Sequence, residues 1–372
     1  MNERTPPHDM TDEPRSRRSF LRTSLAASLV TLGSTGAASA FATMTTTEGA
    51  SPLAADGATR RTVIIDCDPG QDDAIAILFA LGSREQIDLR ALTVVGGNVP
   101  LNLTERNARI VRDWADKTRS LPVYAGCPKP LMRDLVTAAN VMGRSGLDGV
   151  ELHEPRGALE KPHAVTYLID TLRAAAPASV TLVGIGPLTN IATALTAAPE
   201  GAKAIREIVL MGGAWFERGN YTPAAEFNIF VDPEAASIVL GAGVPVTVVP
   251  RDVSLKTLIT PARIAPFRAL RNRCGPIVAD ILAAGVAYQK RRRGVEEAPM
   301  YDPCTIAYLL EPTMFGGRRV NVAVETTGQL TLGETVVDWN GRTKRPANAM
   351  WLTDIDAERF YALLLERIAR LP

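Results

Sequence analysis

Excess charge of either sign is missing from this chain: 41 Lys and Arg stand against 40 Asp and Glu in 372 residues, a formal net charge of +1. That balance gives no footing for a nucleic-acid or anionic-membrane surface, and neither partner is expected. Cysteine is scarce too. Cys67, Cys127, Cys274 and Cys304 include no C-x-x-C pair, so neither a zinc site nor a disulfide framework is indicated, and buried free thiols are expected. Only three histidines occur, and beyond residue 42 only His153 and His163. Long apolar runs are also lacking. The stretch 25–41 is apolar but short and rich in Ser, Thr and Gly, with no stop-transfer pattern after it. It excludes a stable membrane anchor from the expectation.

What that stretch does fit is export. Ser16-Arg17-Arg18-Ser19-Phe20-Leu21-Arg22 has the twin-arginine pattern, and Ala38-Ser39-Ala40 and Ala40-Phe41-Ala42 are acceptable cleavage sites. Residues 1–42 are therefore expected to be a signal peptide that sends the protein to the periplasm or the medium. Residues 43–60 are Thr-, Ala- and Ser-rich and read as a flexible linker. Residues 61–372 remain for the fold, with no internal repeat and no second composition regime, so one domain is expected.

Within it, β-branched and apolar runs at 62–66, 89–95, 180–183, 205–211 and 244–249 alternate with helical patterns at 73–81, 102–117, 163–175, 187–197 and 232–241. Strands and helices alternating in this way predict an open α/β fold, a mostly parallel sheet with helices on both faces. Later, 320–324 and 329–337 read as a two-stranded excursion, and 354–368 as a closing helix. Residues 128–152 and 286–300 read as long mobile loops over a site.

Ligands in such sheets bind outside the carboxyl ends of the strands. Polar groups gather there after each run: Asp66 and Asp68, then Asn98, then Gly184-Ile185-Gly186-Pro187, then Gly212-Gly213, then Arg251-Asp252. The densest is Asp66-Cys67-Asp68-Pro69-Gly70-Gln71-Asp72-Asp73, four carboxylates in eight residues with no Lys or Arg among them. Two carboxylates in contact repel by about 4 kcal/mol in a partly buried setting. A helix N-terminus offers about half a charge, too little for four of them. A hard divalent cation resolves the repulsion, and an all-oxygen donor set suits Ca²⁺ or Mg²⁺ better than zinc. Asp302, before Pro303, reads on its own as a helix N-cap. Glu226 and Asn228, two apart, would share one face of an extended segment. With Asn220 they form a set able to grip sugar hydroxyls.

Taken together these motifs resemble the inosine–uridine-preferring nucleoside hydrolase family, from about residue 61 to the C-terminus. The resemblance is carried by Asp66 to Asp73, then Val95-Gly96-Gly97-Asn98, Gly186-Pro187-Leu188-Thr189-Asn190, Met211-Gly212-Gly213, Glu226-Phe227-Asn228, Asp232-Pro233-Glu234-Ala235-Ala236 and Asp302-Pro303-Cys304, in that order. It implies Ca²⁺-dependent hydrolysis of the N-glycosidic bond of small-molecule nucleosides, and a homo-oligomer, dimer or tetramer. By motif, Asp68, Asp73, Asp302 and the backbone carbonyl of Ile185 would hold the metal. Asp72, Asn98, Asn220, Glu226 and Asn228 would bind ribose, with Asp66 as support and Asp68 as general base. One departure matters. Many members carry His immediately before the second metal-binding Asp, and here that position is Tyr301. Tyrosine is a poor acid at neutral pH and a good stacking platform. An aromatic at this position resembles the purine-specific branch, and Trp215, Phe216 and Tyr288 are candidates to complete an apolar base pocket. Neither His153 nor His163 falls on a motif. The missing acid also leaves open a nucleoside-binding protein with little turnover. An Asp-x-Asp phosphatase is disfavoured by Pro69-Gly70-Gln71, where that chemistry usually has Gly-Thr.

Overall fold

The computed structural model describes residues 60–117 and 120–372. The expected signal peptide and all but the last residue of the expected linker fall outside the described residues. Nine strands form one sheet: β1 (Arg61–Cys67), β2 (Ile87–Val94), β3 (Val123–Ala125), β4 (Val180–Gly184), β5 (Ile205–Met211), β6 (Val246–Val249), β7 (Phe315–Val324), β8 (Thr335–Asp338) and β9 (Ala349–Ile355). Their spatial order is β3-β2-β1-β4-β5-β6-β9-β7-β8. Every pairing from β3 to β9 is parallel, and β7 runs antiparallel to both β9 and β8. Strand order turns around between β1 and β4, and the crevice outside their ends is the expected ligand position in an open α/β sheet.

The central strands are buried on both sides, which is why they read as near-continuous apolar runs rather than alternating ones. One face is covered by the helices Gln71–Gly82, Leu101–Trp114, Cys274–Arg293, Pro303–Leu310 and Ala357–Ala369. Ala164–Ala174, Thr189–Ala197 and Pro233–Leu240 cover the other. In the helix Gln71–Gly82 all but its first two residues are buried, among them Ile75, Leu78 and Phe79. Each such side chain contributes roughly 1.5–3 kcal/mol through burial. Its end packs hard on the closing helix: a Cβ on Gly82 would lie 2.2 Å from the Arg367 carbonyl oxygen.

Several expected elements differ. The strand expected over 329–337 is confined to Thr335–Asp338, because 329–333 is a turn ending at Gly333 with φ +78°. The closing helix starts at Ala357 behind the N-cap Asp356, and the preceding seven residues are β9, carrying the fully buried Trp351. Residues 286–293 are the last two turns of the 20-residue helix Cys274–Arg293, not loop. Within 128–152 a four-residue helix, Ala139–Met142, forms.

Candidate active site

At the end of β1, Asp66 stands in register with Thr93 of β2 and Gly184 of β4. Its Oδ1 accepts hydrogen bonds from Thr93 Oγ1 at 2.6 Å and Asn190 Nδ2 at 2.9 Å. Burial still pushes its pKa up to about 7. The chain then turns through Pro69-Gly70, and Gly70 caps the helix Gln71–Gly82. Asp73, not Asp72, serves that helix start: its carboxylate accepts from the Gly70 and Asp68 backbone N–H groups, each at 3.1 Å. Asp72 Oδ1 is buried without a hydrogen-bond partner among the described residues.

Asp68 is fully buried. Its Oδ2 accepts from the Asn98 backbone N–H at 2.6 Å, and Oδ1 has no hydrogen-bond partner among the described residues. It is wedged between two glycines, since a Cβ on Gly97 or Gly186 would fall 2.1 or 2.5 Å from its carboxylate oxygens. Asn98 ties the motif together, its Nδ2 donating to the Asp68 carbonyl at 3.2 Å and to Asp73 Oδ2 at 3.1 Å. From the far side of the sequence comes Asp302, which occupies the N-cap position of Pro303–Leu310 with helical backbone angles and makes no capping bond. The capping reading is thus corrected. Its carboxylate faces the other acids instead, and ligand oxygens of Asp72, Asp73 and Asp302 all lie within 4.8 Å of one another.

Burial raises all four acids, and repulsion from neighbouring acids adds to it for Asp68, Asp73 and Asp302: Asp68 and Asp302 stand well above the usual range, Asp72 at about 6 and Asp73 at about 7. No described Lys or Arg forms an ion pair with any of them. Unpartnered buried oxygens on facing carboxylates are a high-energy arrangement unless protons or a cation fill it. Hard oxygen donors and nothing else fit a divalent metal of the Ca²⁺ or Mg²⁺ type. The tight geometric trio contains Asp72, where the motif reading had Asp68. Asp68 sits against the trio, its pKa raised by Asp73 and Asp72 after burial itself.

The remaining candidates come from the ends of β4 and β5. Ile185 follows β4, and its carbonyl accepts from Asn228 Nδ2 at 3.1 Å, leaving one lone pair unused. Glu226 and Asn228 do not share an extended segment as expected. Glu226 caps the short helix Phe227–Val231, its Oε2 accepting from the backbone N–H groups of Asn228, Ile229 and Gly213. A carboxylate that accepts several otherwise unpaired N–H groups at a helix start favours this local geometry over a strand. Asn220 Oδ1 accepts from the Phe227 N–H at 2.9 Å.

Asp72, Asn98, Ile185, Asn220, Glu226, Asn228, Tyr301 and Asp302 line one pocket of about 290 Å³, and Asp66, Asp68 and Asp73 lie outside its lining. Ile259, Ile281, Leu282, Met300, Tyr288 and Tyr301 line the same pocket and give it an apolar wall. The first four had no sequence signal beyond being apolar. Trp215 and Phe216 do not contribute: they are 38% and 57% exposed, and Phe216 packs edge-on against Trp339. The histidines are elsewhere. His163 Nδ1 caps a helix by accepting from the Val165 N–H, and His153 sits 3.7 Å from Asp113. All four cysteines are free, with only Cys127 less than fully buried.

An open α/β sheet with a buried acidic floor and an apolar wall at its switch point defines a small-molecule hydrolase. The sequence pattern of the inosine-uridine preferring nucleoside hydrolases matches residues 63–362, and the chain belongs to that family. It is 47% identical over 308 residues to the pyrimidine-specific ribonucleoside hydrolase RihA of Salmonella arizonae, covering 82% of this chain and 97% of that protein. Among solved structures, the purine-preferring ribonucleoside hydrolase of Gardnerella vaginalis superposes with a TM-score of 0.77 at 31% identity, over 83% of this chain and 98% of its own. A plant nucleoside hydrolase superposes equally well, at 0.77 and 30% identity, over 84% of this chain and 99% of its own. The protein is accordingly an N-ribosylhydrolase acting on small-molecule nucleosides.

Proposed function

We propose that this hydrolase uses Ca²⁺, takes purine nucleosides ahead of pyrimidine ones, and works outside the cytoplasm after twin-arginine export. One observation carries the metal: facing buried carboxylates with unpartnered oxygens on Asp68 and Asp72, and no cationic side chain paired to them. Asp68, Asp73, Asp302 and the Ile185 carbonyl would hold the ion, with Asp72 at its edge. When bound, it supplies Lewis acidity that eases deprotonation of the attacking water and balances the acids.

The chain's own groups account for the rest. Asp72, Asn98, Asn220, Glu226 and Asn228 orient the ribose hydroxyls, which fixes the anomeric carbon for in-line attack. Asp68 has one carboxylate oxygen committed to Asn98 and one free, so the free Oδ1 takes the water's proton. The water oxygen bonds to the anomeric carbon as the bond to the base nitrogen breaks, and its electron pair leaves with the base. Positive charge on the sugar ring is countered by the surrounding carboxylates, as in inverting glycosidases. The base lies against Tyr301, a stacking surface without a histidine beside it, and this supports the purine reading. RihA's name and 47% identity favour a second reading, pyrimidine preference.

A panel of purine and pyrimidine ribonucleosides, followed by reducing-sugar release, separates the two readings by rank of kcat/KM. Exhaustive chelation is expected to abolish ribose release and added Ca²⁺ to restore it. Asp68→Asn is expected to lower kcat at least about a hundredfold. Full turnover by both the chelated enzyme and the variant would refute the metal and the base together.

A further inference from the structure

Arg251-Asp252, at the carboxyl end of β6, has no part in the chemistry described so far. Arg251 is only 9% exposed and lines the pocket. Its backbone N–H donates to the Gly213 carbonyl at 2.8 Å, its Nε to the Arg218 carbonyl at 2.8 Å, and its Nη1 to the Tyr301 hydroxyl at 3.0 Å. A planar guanidinium held at two points has a fixed orientation, which a lysine ammonium does not. Its other terminal nitrogen, Nη2, has no hydrogen-bond partner among the described residues.

We propose that Arg251 is a positioning residue for the departing base: it fixes the Tyr301 ring against the base and keeps a permanent positive charge beside the leaving group. As the glycosidic bond breaks, its electron pair moves onto the base. A guanidinium nearby stabilises that charge without giving up a proton. The base is then protonated by water after it departs. This would supply part of what a histidine at the position of Tyr301 gives, by a different physical route. The inference rests on the reading that Tyr301 faces the base.

The effect should fall chiefly on the base. The loop between β5 and Glu226, which carries Asn220, loses its Arg218 tie to Arg251's side chain in such a variant but keeps others. Asp252 Oδ1 accepts from the Trp215 and Glu217 N–H groups, and Thr335 exchanges two hydrogen bonds with the Ala214 backbone.

The test compares wild type, Arg251→Leu, Arg251→Lys, Tyr301→Phe, Tyr301→Ala and the Leu/Phe double variant on two substrates. One is a ribonucleoside that the wild type cleaves. The other is 4-nitrophenyl β-D-ribofuranoside, whose phenolate departs without assistance. Arg251→Leu is expected to lower kcat/KM for the nucleoside by roughly ten- to a hundredfold, the effect of losing a charged hydrogen bond, and that for the nitrophenyl riboside by less than about threefold. Arg251→Lys should recover part of the loss, because the charge remains. The two single losses should not add, because the variants remove the same hydrogen bond. Additive losses, or equal losses on both substrates, would overturn the role of Arg251 alone. A Tyr301→Phe enzyme unchanged on both substrates would overturn the Tyr301–Arg251 link, whereas Tyr301→Ala unchanged on both would remove the base-side reading of Tyr301, and this inference with it. Should Arg251→Leu fail to fold by circular dichroism, the lysine and phenylalanine variants carry the same comparison.

Discussion

Glu226 shows what a single buried acid costs and does at this site. Its pKa is pushed up to about 7 by burial, against three backbone N–H groups and Arg251 that pull it down. The sign follows from that direction. A carboxyl whose folded pKa is raised holds its proton longer in the native state than in the unfolded chain. Native protein therefore binds more protons between the two pKa values, and stability falls as pH rises through that window, from about 4.5 to about 7. Glutamine can accept the same N–H bonds without ionising. Glu226→Gln is expected to match wild type in thermal stability at acid pH, and to exceed it above neutrality by on the order of 2–3 kcal/mol. Melting curves of both proteins from pH 5 to 9 should diverge. Parallel curves would mean the carboxyl is not ionised at a cost. The role of Glu226 was only partly legible in the sequence. Its presence near Asn228 was plain, but its use as a helix cap was not. The motif is too short to show helical periodicity, and a strand and a one-turn helix put polar groups two apart with similar ease. The carboxylates at Asp66, Asp68, Asp72 and Asp73 were legible because like charges packed that closely need a physical reason.

At the scale of elements, the strand ends that carry the site were visible and the segments that brace them were not. β1, β4 and β5 are buried on both faces, so their sequences are near-continuous apolar runs, followed by Asp68 after β1 and by glycine-containing turns after β4 and β5. β9 escaped notice because seven residues with a single tryptophan show no more strand than helix, and its identity comes from pairing with β6 and β7. The helix Cys274–Arg293 escaped for a related reason: it carries interior glycines and a proline, and its apolar residues follow no clean stripe. β9 nevertheless bears on the site through Asp252. That carboxylate accepts from Trp351 Nε1 on β9 at 3.0 Å, and from the Trp215 and Glu217 N–H groups of the site loop. It joins a strand found only through tertiary pairing to the loop that presents Asn220. Asp252→Ala leaves three donors without their acceptor, two on the loop and one in the core. A stability loss of about 3 kcal/mol is expected, with a rise in KM for nucleosides larger than the fall in kcat. Denaturant titration and steady-state kinetics read the two separately, and an unchanged KM would show that the loop holds its shape without the clamp.

For the whole molecule, metal binding and folding are one equilibrium, because the acids that would hold the ion come from β1, the following helix start and a segment more than two hundred residues later at Asp302. No partial fold brings them together. An ion that binds only the native state stabilises it by RT ln(1 + [L]/Kd), about 2.7 kcal/mol at a hundredfold excess over Kd. The apo protein should therefore melt several degrees lower than the Ca²⁺-loaded one. The gap should widen with pH, because more of the crowded carboxyls ionise and repel when nothing lies between them. Mg²⁺ should restore less of the stability, since it demands a smaller octahedral cage and gives up its waters reluctantly. Scanning fluorimetry of chelator-treated protein titrated with CaCl₂ or MgCl₂ measures this directly. Asp302→Asn should remove most of the Ca²⁺-dependent shift while Tyr301→Phe, one residue away, keeps it. A shift of equal size in both variants would place the ion somewhere other than this pocket, and the acidic cluster would then have to be explained by shared protons alone.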